Sequence, residues 1–178
     1  MRIRDLQFLK STGTVAQLAG AALMVASMAA CLLVLPARAG TAPSNPAESQ
    51  KTAVGAIATD EHWSMAEYMG DTTWLNQMLL PEYRSVNADG KAYSKERIVA
   101  GAAKRGHDDL AAAQAKVAAY RKSNPYGTSV VLHGDTAILS FYDLKRGPQD
   151  GVQSSDILLY VDGQWHALYS QHGDPEKK

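Results

Sequence analysis

The hydrophobic pattern of this 178-residue chain changes near Pro125 from mainly helical to strand-like spacing, and this change constrains the fold more than any single motif does. Before Pro125 most of the predicted elements are helices, whose apolar residues recur as Val54, Ile57 and Ala58 do. After Pro125 short segments rich in Val, Ile, Leu and aromatic residues alternate with turn residues, which is typical of strands. Helices followed by a run of antiparallel strands predict an α+β fold with the helices packed on one face of a sheet.

Turn and capping residues set the limits of the predicted elements. Gly70 ends the first helix, Asp71 caps the second, Pro81 ends the second, and Ser94 caps the third. The predicted helices are Lys51–Met69, Thr72–Leu79, Lys95–Lys104 and Asp108–Lys122. The predicted strands are Glu82–Asn87, Thr128–His133, Thr136–Leu144, Ser155–Val161 and Gln164–His172.

Asp162-Gly163 predicts a two-residue hairpin turn between the last two strands, because both central residues of the favoured turn need positive φ. Simple alternation from this turn places seven residues on one face: Asp156, Leu158, Tyr160, Trp165, Ala167, Tyr169 and Gln171. This face carries the larger aromatic side chains, so we expect it to be the concave, helix-facing side of the sheet.

The N-terminus has the layout of a secretory signal peptide. Basic residues precede an uncharged apolar run at residues 18–35, and Ala37-Arg38-Ala39 follows as a small-residue cleavage pattern. We therefore expect cleavage near Ala39 and a periplasmic or secreted protein. A retained membrane anchor and a lipid-modified Cys31 are the alternatives. Cleavage would remove the only cysteine and with it any thiol or disulfide chemistry.

The remaining chain has the size and composition of one domain. Residues 40–50 are rich in Pro, Ser, Ala and Gly and predict a flexible lead-in, residues 51–173 the domain, and residues 174–178 a charged tail. Residues 40–178 hold 14 of the 18 Lys/Arg and 17 of the 18 Asp/Glu residues, a formal charge of −3. Without a basic excess, nucleic acid is not expected as a partner. We expect no stable membrane insertion once the signal peptide is removed.

Several short motifs occur in an order that resembles one known domain. In the first half they are Glu61-His62-Trp63, Gly70-Asp71, Asp89-Gly90 and Ser94-Lys95-Glu96. In the second half they are Gly134-Asp135-Thr136-Ala137, Asp162-Gly163-Gln164-Trp165 and Gln171-His172. Together they resemble a SnoaL-like domain of the nuclear transport factor 2-like superfamily, over about Thr52 to Gly173. The sequence departs from the usual pattern between Arg105 and Gly127, where an alanine-rich helix replaces a short loop and strand.

This resemblance implies a cone-shaped fold, in which N-terminal helices pack on a curved antiparallel sheet and leave a pocket between them. The superfamily contains both enzymes and non-enzymatic domains, so the fold alone implies no single function. Within such a cone the pocket candidates are seven residues: Glu61, Trp63, Tyr68, Asp156, Tyr169, Gln171 and His172.

Two of these candidates are carboxylates that could act as a general base. The structural alternatives are a hydrated strand-start position for Asp156 and, for Glu61, a buried polar contact that fixes its helix against the sheet. None of the five histidines has the spacing of metal ligands, and no nucleophile, nucleotide or dinucleotide motif occurs. The sequence therefore predicts neither a metal site nor a cofactor.

Two classes of function fit this sequence. The first is an exported SnoaL-like domain that binds a small apolar or amphipathic ligand in its cone or associates as a homodimer through the outer sheet face. The second is a cofactor-independent isomerase, dehydratase or cyclase, with Asp156 or Glu61 as the base and Tyr169 or His172 as the hydrogen-bond donor. An enzyme requires that at least two of these groups converge on one point in the pocket.

Overall fold

The computed structural model describes residues 45–173. The predicted signal peptide and the C-terminal tail lie outside the described residues. Within this range the helices are α1 (Ala53–Met69), α2 (Thr72–Met78), α3 (Lys95–Arg105), α4 (Leu110–Ser123) and α5 (Gly147–Asp150), preceded by a 3-10 turn at Pro46–Ser49. No helix between residues 45 and 173 combines the length and apolar character needed to cross a membrane.

Local capping explains where the helices begin and end. The Thr52 hydroxyl accepts a hydrogen bond from the Gly55 N–H (3.1 Å) and starts α1, and Gly70 ends it in the left-handed conformation at φ 71°. The Asp71 carboxylate accepts from the Trp74 N–H (3.0 Å) and starts α2 at once. The predicted limits of these helices are confirmed to within two residues. The alanine-rich segment after Arg105 is also helical, as predicted.

Six strands between residues 45 and 173 form one curved mixed sheet in the order β2-β1-β6-β5-β4-β3. The strands are β1 (Leu79–Val86), β2 (Ala92–Ser94), β3 (Tyr126–His133), β4 (Thr136–Asp143), β5 (Val152–Val161) and β6 (Gln164–His172). The helices pack on one face of this sheet, which confirms the predicted α+β cone. The three-residue strand β2 was not predicted, because so short a segment shows no period.

The prediction of an entirely antiparallel sheet is wrong at one pair, since β1 and β6 run parallel. Parallel neighbours need a long crossover connection, and the helices and the β3–β5 meander between these two strands provide it. Pro81 does not end a helix as predicted but lies within β1. The β1–β6 register shifts between Leu79 and Arg84, so Pro81 occupies an irregular stretch where its missing N–H is tolerated.

A β-bulge in β6 changes which side chains reach the concave face. Leu158 pairs with Ala167, but Ile157 pairs with Tyr169, so Leu168 is one residue too many on β6. Beyond the bulge Asp156 lies opposite Ser170. A slip of one residue moves each following side chain to the opposite face of the sheet. The prediction that Tyr169 and Gln171 lie on the concave face is therefore wrong.

The concave face and the helices enclose one main core. Its fully buried large side chains include Trp63, Leu75, Tyr83, Leu139 and Trp165. The Trp63 and Tyr83 rings meet edge to face, with centroids 5.6 Å apart. Each such side chain contributes about 1.5–3 kcal/mol on burial. Among the described residues, these side chains therefore take up part of the interior in which the sequence predicts a pocket.

Candidate functional site

The first described residues form an ordered turn that lies across the sheet. We call Asn45–Gln50 the N-terminal turn. The Trp165 Nε1–H donates to the Gln50 carbonyl (2.8 Å) and the Tyr160 hydroxyl donates to the Ser49 carbonyl (2.5 Å). The sequence predicts a flexible lead-in over residues 40–50, whereas the described part of it is hydrogen-bonded to the β5–β6 hairpin.

Glu48 and His62 form a pair beneath this turn. His62, on α1, is 1% exposed, and its Nδ1 lies 3.0 Å from each Glu48 carboxylate oxygen. An ionised carboxylate only accepts hydrogen bonds, so Nδ1 carries the proton and donates. The Asn45 N–H also donates to Glu48 Oε1 (2.7 Å), as part of a capping box. These donors hold the Glu48 carboxylate in one position.

Trp74 covers the other side of this pair. It projects from α2, where the Asp71 cap sets the start of the helix. Its indole stacks on the His62 imidazole, with ring centroids 4.1 Å apart and an interplanar angle of 30°. The Nε2 atom of His62 is buried and has no hydrogen-bond partner among the described residues. His62 therefore contributes to the site through its hydrogen bond to Glu48 and its ring contact with Trp74.

These elements surround a cavity of about 300 Å³, which we call the N-terminal pocket. It lies between the N-terminal turn, α1, α2 and the start of β6. Its lining consists of Asn45, Pro46, Glu48, Ser49, Thr59, Trp74, Gln77, Met78, Gln164 and Trp165. Among these described lining residues Glu48 is the one charged side chain. The pocket thus combines two indoles and a thioether with a fixed carboxylate and side-chain amides.

Two of the predicted site residues, Asp156 and His172, belong to a separate, buried polar group. Asp156 is 0% exposed and His172 is 2% exposed, and they lie on the same face of neighbouring strands. His172 Nε2 lies 3.1 Å from the Ser85 hydroxyl, and the Tyr83 hydroxyl donates to Ser170 Oγ (2.9 Å). This group is packed within the core, and none of its members lines the N-terminal pocket.

Glu61 lies away from both groups. The Arg121 guanidinium donates to its carboxylate (2.8 Å), and both side chains are nearly half exposed. Burial acts to lower the pKa of Arg121, but its interactions with Glu61 and Tyr126 outweigh burial and raise that pKa. The pair borders a more open groove of about 320 Å³, which Leu144 also lines. Glu61 therefore does not face Asp156 or His172 across a common cavity.

The other predicted site residues lie in three different surroundings. Trp63 is part of the core. Tyr68 is half-buried beside Met65 and Leu110, and burial, followed by the charges of Glu67 and Asp108, raises its pKa. On the outer face the Tyr169 hydroxyl donates to Gln171 Oε1 (2.6 Å). The structure therefore brings together only two members of the predicted set, which are Asp156 and His172.

The N-terminal pocket was not found from the sequence. Asn45-Pro46-Ala47-Glu48 matches a capping box with Pro at the first helical position, and this signal could have identified an ordered turn. No sequence pattern shows that Glu48 meets His62, fourteen residues later, or that Trp74 covers both. In the range 45–173 no group of three or more His, Cys, Asp or Glu side chains is arranged to hold a metal ion.

Comparison with known proteins shows structural similarity at low sequence identity. An NTF2-like protein of unknown function from Silicibacter pomeroyi is 17% identical over 65% of this chain and 89% of its own length, with a TM-score of 0.45. A candidate dehydratase of the NTF2-like family from Streptomyces avermitilis is 12% identical over 66% and 91% of the two chains, with a TM-score of 0.42.

A third similar structure is a candidate calcium/calmodulin-dependent kinase II association domain from Exiguobacterium sibiricum. It is 12% identical over 68% of this chain and 91% of its own, with a TM-score of 0.43. Neither a protein-family model nor a curated protein sequence gives a significant match. The similar structures include NTF2-like proteins, the superfamily that the sequence resembles. Their functions differ, and at these scores they carry no inference about ligand or activity.

Proposed function

We propose that this protein is an exported, non-catalytic binding protein that holds a small amphipathic ligand in the N-terminal pocket. The observation that carries the proposal is the composition of this pocket, in which Trp74 and Trp165 stand beside the fixed Glu48 carboxylate. Ligand sites in proteins are typically concave, largely apolar, and supplied with a few placed polar groups. A volume of about 300 Å³ suits a ligand of few heavy atoms.

The pocket is also organised before any ligand enters. Hydrogen bonds from His62 and Asn45 hold Glu48, and the His62 ring packs against Trp74. The hydrogen bond from Trp165 to Gln50 ties the turn to the sheet. Since binding free energy is reduced by the ordering of loops and side chains, a site that is already ordered binds more tightly.

The placement of the predicted catalytic residues favours binding over catalysis. Acid–base catalysis needs two or more suitable groups around one accessible point. Glu61 is engaged with Arg121 at the surface, and Tyr169 lies on the outer sheet face. Asp156 and His172 do lie on one face, but both are enclosed in the core and line neither cavity described above.

Fragment binding followed by amide NMR tests the proposal. We expect small aromatic fragments with polar substituents to shift the indole N–H signals of Trp74 and Trp165 and the side-chain amides of Gln77 and Gln164. The Gln164→Phe variant should abolish these shifts, because a larger side chain at the pocket wall fills the cavity. Gln171→Phe, a change of the same kind on the outer face of the same strand, should leave them intact. Shifts that persist in Gln164→Phe would contradict the proposed location.

A second candidate function, self-association, is favoured by the outer face of the sheet. Val131, Ile138, Ile157 and Tyr169 form a row across four strands, and the first two are 61% and 39% exposed. Exposed apolar patches of this kind commonly mark association surfaces. We expect a homodimer in sedimentation velocity, which Val131→Lys dissociates. The control is Val54→Lys, because Val54 is 63% exposed on α1. A monomeric parent protein would refute this candidate.

A further inference from the structure

We propose that the ligand of the N-terminal pocket is a small organic cation, either an amine or a quaternary ammonium compound. This inference rests on the proposed function, because it assigns a chemical class to the ligand of the same pocket. Three properties of the described lining carry it: its charge, its aromatic surface and its hydrogen-bond acceptors.

The charge of the pocket comes from Glu48. Its side chain is only 15% exposed, so a cation beside it interacts through a medium of lower dielectric constant than water. The His62 Nδ1–H donates a hydrogen bond to this carboxylate and holds it in place. Two lysines, Lys51 directly after the turn and Lys95, whose ammonium reaches α2, have other partners. Lys51 pairs with Asp135, and the Lys95 ammonium donates to the carbonyls of Asn76 and Leu79.

The aromatic surface of the pocket is formed by indoles. Trp is the side chain that attracts cations most strongly through its ring face. Trp74 and Trp165 both line the pocket, and each is fixed by its own contact, Trp74 by the His62 ring and Trp165 by its hydrogen bond to Gln50. Quaternary ammonium groups in particular are recognised by aromatic cages.

The remaining polar groups also favour a ligand that donates hydrogen bonds. Gln77 and Gln164 present side-chain amides, whose carbonyl oxygens accept hydrogen bonds from an amine or a hydroxyl group. An anionic ligand would meet Glu48 with no lysine or arginine among the described lining residues to compensate the repulsion. The same lining therefore attracts cations and rejects anions.

A series of three matched compounds tests the inference by isothermal titration calorimetry on the purified protein. The first is choline, and the second is its neutral carbon analogue, in which a tert-butyl group replaces the trimethylammonium group. The third keeps the tert-butyl group of the neutral analogue and carries a carboxylate in place of its hydroxymethyl group. We expect choline to bind at least ~10-fold more tightly than the neutral analogue, and the anionic compound to give no measurable binding.

Variants separate the charge from the shape of the site. Glu48→Gln keeps an oxygen that accepts from His62 and removes only the charge, so it should bring choline down to the affinity of the neutral analogue. Glu82→Gln, a change of the same kind at an exposed position on β1, should change nothing. Trp74→Leu should weaken choline binding more than binding of the neutral analogue.

The outcomes distinguish this inference from the function on which it rests. If choline and the neutral analogue bind equally and both shift the Trp74 and Gln164 signals in NMR, the cation preference is refuted and the pocket stands as a binding site. If choline binding is unchanged in Glu48→Gln, the inference is also refuted. If neither these compounds nor the aromatic fragments shift the pocket signals, both the inference and the proposed function fail.

Discussion

Removing the Glu48 carboxylate should loosen the N-terminal turn and destabilise the whole domain. In Glu48→Ala the His62 Nδ1–H loses its acceptor, and the His62 ring is only 1% exposed in the folded protein. A buried donor left without a partner costs about 1–3 kcal/mol, and hydrogen bonds to charged groups lie toward the upper part of that range. The hydrogen bond from Asn45 is solvent-exposed and contributes less. We expect a loss of about 2 kcal/mol in the free energy of unfolding.

Urea denaturation followed by tryptophan fluorescence measures this loss, since Trp74 and Trp165 lie beside the turn. With a denaturant slope of about 2 kcal/mol per molar urea, the midpoint should fall by about 1 M. Glu82→Ala, at an exposed position on β1, is the control and should leave the midpoint unchanged.

A double-mutant cycle assigns the effect to the pair. His62→Phe keeps a ring against Trp74 but removes the donor, so Glu48→Ala should cost much less in that background than in the parent protein. A Glu48→Ala midpoint equal to that of the Glu82→Ala control would refute the reasoning. An effect of Glu48→Ala that is just as large in His62→Phe would show that it does not act through His62.

Three further predictions concern other parts of the fold. Gly70→Ala should lower the melting temperature much more than Gly134→Ala. Both glycines have positive φ, so alanine strains the backbone at either position. An added Cβ at Gly70 would also lie 2.1 Å from a backbone carbonyl oxygen, whereas no atom lies within 4 Å of one at Gly134. Glu61→Gln should change the unfolding free energy by less than about 0.5 kcal/mol, because its ion pair with Arg121 is nearly half exposed, and a larger change in urea denaturation would refute this. The pKa of the Tyr68 hydroxyl is raised in the folded protein, so the unfolded state loses the hydroxyl proton at a lower pH than the folded state does. The free energy of unfolding should therefore decrease as the pH rises past about 10. Tyr68→Phe should reduce that decrease in denaturation curves measured at successive pH values.

Sequence patterns predicted the elements of this fold better than their pairing. The change of period near Pro125 was enough for an α+β fold, and local signals such as Gly70 and Asp162-Gly163 placed helix ends and the last hairpin correctly. The parallel β1–β6 pair was missed because no local turn connects these strands. The extra residue Leu168 was missed because a bulge leaves no mark in the alternation of a short strand.

The candidate site was harder to predict for the same physical reason. A regular strand would have put Tyr169 and Gln171 on the face of Asp156 and His172 on the opposite face, but the bulge at Leu168 places His172 beside Asp156 on the buried face instead. The Glu48–His62 pair depends on a turn whose composition resembles a linker. Contacts between residues far apart in the chain depend on how the helices pack on the sheet, and single-residue preferences do not report this.

A crystal structure of the protein grown with choline tests the central claim most directly. The account predicts electron density for the trimethylammonium group in the N-terminal pocket, in contact with the indoles of Trp74 and Trp165 and within about 4–6 Å of the Glu48 carboxylate. A pocket filled by protein atoms would contradict the account, as would choline bound elsewhere on the molecule with this pocket empty.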